Sequence, residues 1–341
     1  MLVAVVQAAC ADAAGAGSDT STAASEASGA SESSGAVGST GDEQASTGSV
    51  TVTGEPESTG GSATGGATTG ADVTSTSDAD ETGGSDETGE VAESRCEQTA
   101  EMITCPKLTV ELGPWMRDVH YQVPLGEPPA GGWPLVLMFQ GSFFSAEATW
   151  TAAAILPFGA YNQTLVVKTL LDHGYAVVTP ETKLDGGTFW DTNVPPYSVA
   201  WETSEDHAFM LTIFAAIEDG TFGPLALDRW YATGVSSGGY MTSRMAVSYE
   251  GRFRSLAIAA GSYATCSGPL CEVPAQQADH PPTLFVHGEV DATVPLATAV
   301  EYRDALAAAG VATRLVTDPD EGHGWIPAAP AEVLQWFVDH P

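Results

Sequence analysis

Three short stretches carry residues able to do nucleophilic chemistry. The first is Gly234-Val-Ser236-Ser-Gly238, which fits the pattern G-x-S-x-G. A serine hydroxyl is a weak nucleophile unless it projects towards a general base. A sharp strand-to-helix turn would project Ser236 in that way, and flanking glycines let strand and helix approach each other around it. The N–H of Ser237 would then sit at a helix N-terminus, where it can stabilise a developing oxyanion. Alone the pattern is weak. With Gly and Ser each near ~7% of residues, chance supplies it in a domain of this size roughly one time in ten.

The second stretch is His287-Gly-Glu-Val-Asp291-Ala-Thr-Val-Pro295, and the third is Glu321-Gly-His323-Gly-Trp325. Each directly follows an apolar run of strand character. Asp291 can hold an imidazole in one tautomer and stabilise its charged form. His323, between two glycines, supplies a ring suited to proton transfer near neutrality. Asp318 and Asp320 are rivals for the acid but read more easily as turn residues. His287 reads as a structural hydrogen-bonding residue rather than the base. The chain order Ser236, Asp291, His323 is that of α/β-hydrolases and differs from the chymotrypsin and subtilisin orders. A second oxyanion donor should come from a loop after an earlier strand. Gln140-Gly141-Ser142 follows the run Leu135–Phe139, making the backbone N–H of Ser142 the candidate partner of Ser237.

The elements that must position these residues follow from periodicity. Apolar runs at 135–139, 175–179 and 283–287 read as buried strands, and 255–259 and 313–317 as further strands; 119–123 alternates like an outer antiparallel strand. Between them, 161–172, 204–220, 237–249, 295–309 and 330–339 carry helical spacing and caps, including Ser204 at one start and Gly310 past one end. Repeated βα units predict a mostly parallel sheet with helices on both faces, and sites at the carboxyl ends of its strands. The Gly-, Pro- and aromatic-rich stretch 181–200 predicts a long functional loop.

The chain has 341 residues of two kinds. Residues 11–94 hold no aromatic residue, no Leu, Ile, Lys or Arg, and 16 acidic residues. Such a segment cannot bury enough apolar surface to offset its ordering entropy, so an extended, disordered linker is expected. The formal charge of −33 divides into −16 there and −17 in the remainder. Residues 95–341 contain all eight Trp and all eleven Phe and suit one α/β catalytic domain. With no basic stripe, nucleic acid is excluded as a partner, and anionic membranes are disfavoured. A neutral or hydrophobic substrate is compatible.

Met1–Cys10 is an apolar run ending in small residues before a cysteine, similar to a bacterial secretion signal or a lipoprotein one with Cys10 as the lipidated residue. It departs from that pattern in lacking Lys or Arg and in having Gln7, as a start placed too late in the gene would produce. Cys96, Cys105, Cys266 and Cys271 suggest two disulfides in an exported domain; of three connectivities, the local pairs Cys96–Cys105 and Cys266–Cys271 are favoured. Their spacing does not suit zinc, and neither a metal nor a cofactor is expected.

Gly234-Val-Ser-Ser-Gly-Gly-Tyr-Met-Thr-Ser-Arg-Met-Ala246, with His287-Gly-x-x-Asp291-x-x-Val-Pro295 and Gly322-His323-Gly-Trp325, resembles the polyhydroxyalkanoate depolymerase and related esterase group of α/β-hydrolases, particularly its extracellular members acting on medium-chain-length polymers. The resemblance covers roughly 96–341. It implies a secreted bacterial serine hydrolase cleaving esters of a water-insoluble polyester, with Ser236, Asp291 and His323 matching the triad residue by residue. Short-chain members usually have His-Gly-Cys where this chain has Gln140-Gly141-Ser142. No separate binding module follows the catalytic domain, so the domain itself, acting as a monomer, is expected to meet the polymer. Phe143, Phe144, Trp190 and Trp325 are candidates for the apolar substrate-binding surface. The alternatives are a feruloyl or acetyl carboxylesterase or a lipase of the same fold. Less favoured are a peptidase and a catalytically dead surface-displayed binding protein.

Overall fold

The computed structural model describes residues 93–183, 188–267 and 271–341. The leader-like segment 1–10 with Cys10, and all of the linker 11–94 except its last two residues, lie outside the described residues.

An eight-stranded sheet runs in the order β11-β10-β9-β8-β5-β7-β4-β3. Its strands are β3 (Leu108–Leu112), β4 (Arg117–Gln122), β5 (Trp133–Phe139), β7 (Ala176–Pro180), β8 (Leu225–Val235), β9 (Ser255–Ala259), β10 (Thr283–Gly288) and β11 (Thr313–Asp318). The pairs β3–β4 and β4–β7 are antiparallel, and every other neighbouring pair is parallel. The inner parallel strands β5, β7, β9 and β10 carry the continuous apolar runs because both their faces are covered, whereas β11, at the edge, is half-buried throughout. β5 shows the division. Val136 and Met138 enter a core with α1 (Ala160–Asp172) and α5 (Ala329–Asp339), while Leu135, Leu137 and Phe139 enter one with α2 (Glu205–Glu218) and α3 (Ser237–Ser248). A third core joins α4 (Leu296–Ala308) through Tyr302 and Leu306 to Ile258 and Phe285 of the sheet.

Local chemistry sets the helix ends. Ser204 Oγ accepts the N–H of His207 at 3.0 Å and caps α2, and Gly310 follows α4 with φ 78°.

A second, three-stranded sheet was not legible in the sequence. β1 (Glu97–Gln98), β2 (Met102–Thr104) and β6 (Thr151–Ala153) pair antiparallel in the order β1-β2-β6. These strands are too short for a periodicity to register. Cys96 is bonded to Cys105 across the β1–β2 hairpin, and Cys266 to Cys271 in the loop after β9, the pairing favoured from spacing.

The main sheet has a switch point. From β5 the chain returns to one side as β7, then crosses to the other side as β8. The connections leaving β5 and β8 therefore run to opposite faces of the sheet, and the carboxyl ends of these strands are where a site is expected.

Candidate active site

Ser236 stands on the turn between β8 and α3, at that switch point. Its backbone has φ 56° and ψ −121°, a conformation strained for a residue with a side chain. The surroundings hold it. Its N–H donates to the carbonyl of Ala259 at 3.0 Å, and its own carbonyl accepts the N–H of Tyr240 at 3.0 Å. A Cβ at position 238 would run into the carbonyl oxygen of Phe139, so only glycine lets α3 start this close to β5.

The loop after β5 passes beside the serine: a Cβ on Gly141 would sit 3.5 Å from that of Ser236. Among the described residues, the N–H groups of Ser142 and Ser237 donate to no protein acceptor. For Ser237 this follows from its place in the first turn of a helix. Its hydroxyl is engaged, accepting the N–H of Trp190 at 2.9 Å.

Glu181, just past β7, braces the Gln140–Ala146 loop. Its buried carboxylate accepts from Gln140 Nε2 at 2.8 Å, from the N–H of Ala146 at 2.8 Å and from the N–H of Thr182 at 3.0 Å. Burial pushes this carboxyl above its ordinary value, and the Ala146 and Thr182 hydrogen bonds only partly offset that rise. An acid at a strand's carboxyl end is the signal the sequence carries for it, at the head of the stretch 181–200 expected to be a loop.

Asp291 and His323 meet because the loops after β10 and β11 are tied together. The N–H of Glu289 donates to the carbonyl of Asp318 at 2.9 Å, and that of Val290 to Glu321 at 3.2 Å. His323 Nδ1 then lies 2.8 Å from Asp291 Oδ2. The other oxygen, Oδ1, accepts the N–H groups of Thr293 at 2.8 Å and Val294 at 2.9 Å. His287 Nε2 lies 2.9 Å from the Val294 carbonyl and 3.3 Å from Asp291 Oδ2, so it carries a proton and donates to both. Burial raises the Asp291 carboxyl, but the hydrogen bonds from His287, His323 and Val294 outweigh it and hold the group well below the usual carboxylate range. An ionised carboxylate only accepts, which places the His323 proton on Nδ1 and leaves Nε2 free to take one. Asp318, one of the rival acids, instead accepts the N–H of Asp320 at 3.1 Å within its own turn.

The expected substrate-facing aromatics divide. Phe143 is 53% exposed, and Phe144 is half-buried beside it. Trp190 and Trp325 correct the expectation of surface residues, since both are buried. The indole of Trp190 packs edge-on to Phe139 at 5.2 Å and donates to the carbonyl of Gln140 at 3.2 Å. Trp325 belongs to the core under α1 and α5. A glycine-rich neighbourhood in the sequence does not reveal which way a ring turns.

The long loop containing Trp190 is tethered on several sides. The N–H of Asp191 donates to Asp206 Oδ2 at 2.7 Å, and Asp206 pairs with buried Arg117 at 2.6 Å. Arg244 holds Thr192 through both its hydroxyl and its carbonyl, at 2.9 and 2.8 Å. Among the described residues no group of three or more His, Cys, Asp or Glu side chains is placed to hold a metal ion.

The sheet order, with a strained serine turn at its switch point, defines the class: the chain is an α/β-hydrolase. The prolyl oligopeptidase family matches residues 271–340. Poly(3-hydroxyoctanoate) depolymerase from Pseudomonas fluorescens is 54% identical over 226 residues, covering 66% of this chain and 80% of that protein. The chain belongs to the family of that depolymerase and is an ester-hydrolysing enzyme. Among solved structures it is similar to an S-formylglutathione hydrolase from Agrobacterium tumefaciens (15% identity, TM-score 0.48, covering 72% of this chain and 98% of that one). It is also similar to a carboxylesterase from Bacillus cereus (13% identity, TM-score 0.48, covering 67% and 96%).

Proposed function

We propose that the chain is an exported polyhydroxyalkanoate depolymerase, with residues 95–341 as its catalytic domain and Ser236, His323 and Asp291 as its triad. Ser236 Oγ attacks the ester carbonyl while His323 Nε2 takes its proton, and Asp291 stabilises the imidazolium that forms. The N–H groups of Ser142 and Ser237 receive the oxyanion. His323 then protonates the departing alcohol, and water admitted to the acyl-enzyme releases the acid.

The single observation carrying this reading is the 2.8 Å Asp291–His323 pair, which leaves Nε2 as a base. The strained turn that holds Ser236 at the same edge of the sheet supports it. The polyester substrate rests on kinship with the poly(3-hydroxyoctanoate) depolymerase. Export is supported by the two disulfides and by the leader-like Met1–Cys10, with Cys10 a candidate lipid anchor. The domain acts as a monomer.

Ser236→Ala should cut turnover by roughly 10⁴–10⁶-fold on both a soluble ester and a polyhydroxyoctanoate emulsion. It should also abolish labelling by a fluorophosphonate probe. Near-wild-type turnover in that variant would sink the assignment.

A further inference from the structure

We propose that the segment Ala154–Gly159 and the loop Ser142–Ala146 together form the surface on which the enzyme docks to solid polyester. This inference rests on the depolymerase reading above and adds to it where the polymer lands. Ile155 is 90% exposed and Leu156 46%, and Phe143 on the facing loop is 53% exposed. The two loops are joined by Phe144 and Phe158, whose rings meet edge to face at 5.9 Å. Phe158 in turn meets the ring of His323 at 6.0 Å. The exposed apolar residues are thus continuous with the candidate base. Large apolar side chains exposed on two adjoining loops mark an interaction surface more often than scattered single exposures do.

Charge narrows the occupant. Residues 142–146 and 153–160 contain no ionisable side chain, in a chain with 44 acidic residues. A patch without charges of its own in so acidic a protein suits a neutral, apolar partner. An aliphatic polyester surface is such a partner.

The backbone shows that the face is rigidly placed. Phe143 and Phe158 have φ 67° and 62°, uncommon for aromatic residues. The carbonyl of Phe158 accepts the N–H of Trp325 at 3.1 Å, and Gly324 is packed so closely on Phe158 that no Cβ would fit. β6 anchors the other end of the segment to β2. The Ala154–Gly159 segment is therefore tied directly to the His323 loop, which places a polymer docked on it beside the candidate base.

The test uses the full chain and a polyhydroxyoctanoate latex. The double variant Ile155→Ser/Leu156→Ser should lose adsorption to the latex by about tenfold or more. The ratio of polymer to soluble-ester turnover should fall with it. Ile155→Ser alone, at a position with almost no packing to lose, should show a partial loss with an unaltered melting curve. Leu227→Ser, equally apolar and 58% exposed but at the opposite end of β8, should adsorb as wild type. Wild-type adsorption of the double variant overturns the proposal, and so does an equal loss in Leu227→Ser. Preferential binding of phosphatidylcholine vesicles over latex, or a dimer that the double variant dissociates in sedimentation, would assign the face to another occupant and overturn it too. A wild-type enzyme that hydrolyses soluble esters but neither adsorbs to nor clears the latex sinks the polyester reading itself.

Discussion

Asp291 presents one oxygen to His323 Nδ1 at 2.8 Å while its other oxygen is fixed by two backbone N–H groups. The carboxylate therefore cannot rotate to offer anything but an acceptor to the imidazole. Asn at this position would keep its oxygen on the amides of Thr293 and Val294 and turn its NH₂ towards His323. The ring would then carry its proton on Nε2 and could not accept one from Ser236. Asp291→Asn should lower kcat on a soluble ester by roughly 10³–10⁴-fold with the fold intact. A loss under tenfold would show that His323 does not act through Asp291.

The same carboxylate makes a pH prediction. Its folded pKa is depressed below the unfolded value near 4. Its contribution to stability is thus complete above that value and is lost as pH falls through the folded pKa. The melting temperature of the wild type should decline below about pH 4. Asp291→Asn should decline less steeply over that window. Parallel curves would mean that the network around Asp291 contributes nothing to acid unfolding.

Much of the candidate site was legible because Ser236, Asp291 and His323 each follow a strand, and strands that are buried on both faces announce themselves as apolar runs. The chain order of Ser236, Asp291 and His323 followed from three local patterns. What could not be read depends on side-chain direction and on partners distant in sequence. Trp190 and Trp325 are candidates for the apolar surface by residue type and place in a loop, yet both turn inward. Glu181 lies 41 positions from Gln140, and no spacing rule links them. Phe158 meets the ring of His323 from far along the chain, after a strand, β6, too short to show a period.

Glu181 yields a prediction that separates positioning from bulk stability. Gln at 181 retains an acceptor for Gln140 and Thr182 but faces its NH₂ towards the N–H of Ala146. One end of the Ser142 loop is then released. Glu181→Gln should reduce kcat about 10–100-fold with little change in KM, a part of what losing one oxyanion donor costs. Stability should move the other way. The carboxyl's raised pKa means that its contribution is fullest below the unfolded value near 4.3 and lost as pH rises through the folded one. The Gln variant should therefore gain stability on the wild type between pH 4 and pH 7, measured by urea midpoints. Equal loss of kcat and stability would reduce Glu181 to ordinary packing.

The elbow itself can be tested without touching Ser236. Gly238→Ala places a methyl group against the carbonyl oxygen of Phe139, which belongs to a rigid strand and cannot yield. Overpacking of this kind costs about 1–3 kcal/mol where neighbours can shift and more where they cannot. The variant's unfolding free energy, read from urea titration, should fall by at least that amount, and the surviving folded fraction should label poorly with a fluorophosphonate because Ser236 is displaced. A fully stable, fully labelled variant would mean that α3 does not approach β5 as closely as this structure has it.

The Cys96–Cys105 bond offers a last measurement, because it closes the hairpin that leads through β6 towards Phe158. The two cysteines are 9 positions apart, and loop-closure entropy assigns such a bond about 2–3 kcal/mol. Cys96→Ala/Cys105→Ala should lose that much stability. Its effect on catalysis should be confined to the polymer, since the hairpin supports β6 and the apolar face after it, whereas Ser236 and Asp291 are held by the main sheet. Soluble-ester turnover should stay within a few-fold of wild type while clearing of a polyhydroxyoctanoate emulsion slows several-fold. If both activities fall together, the small sheet supports the His323 loop as a whole rather than the docking face alone.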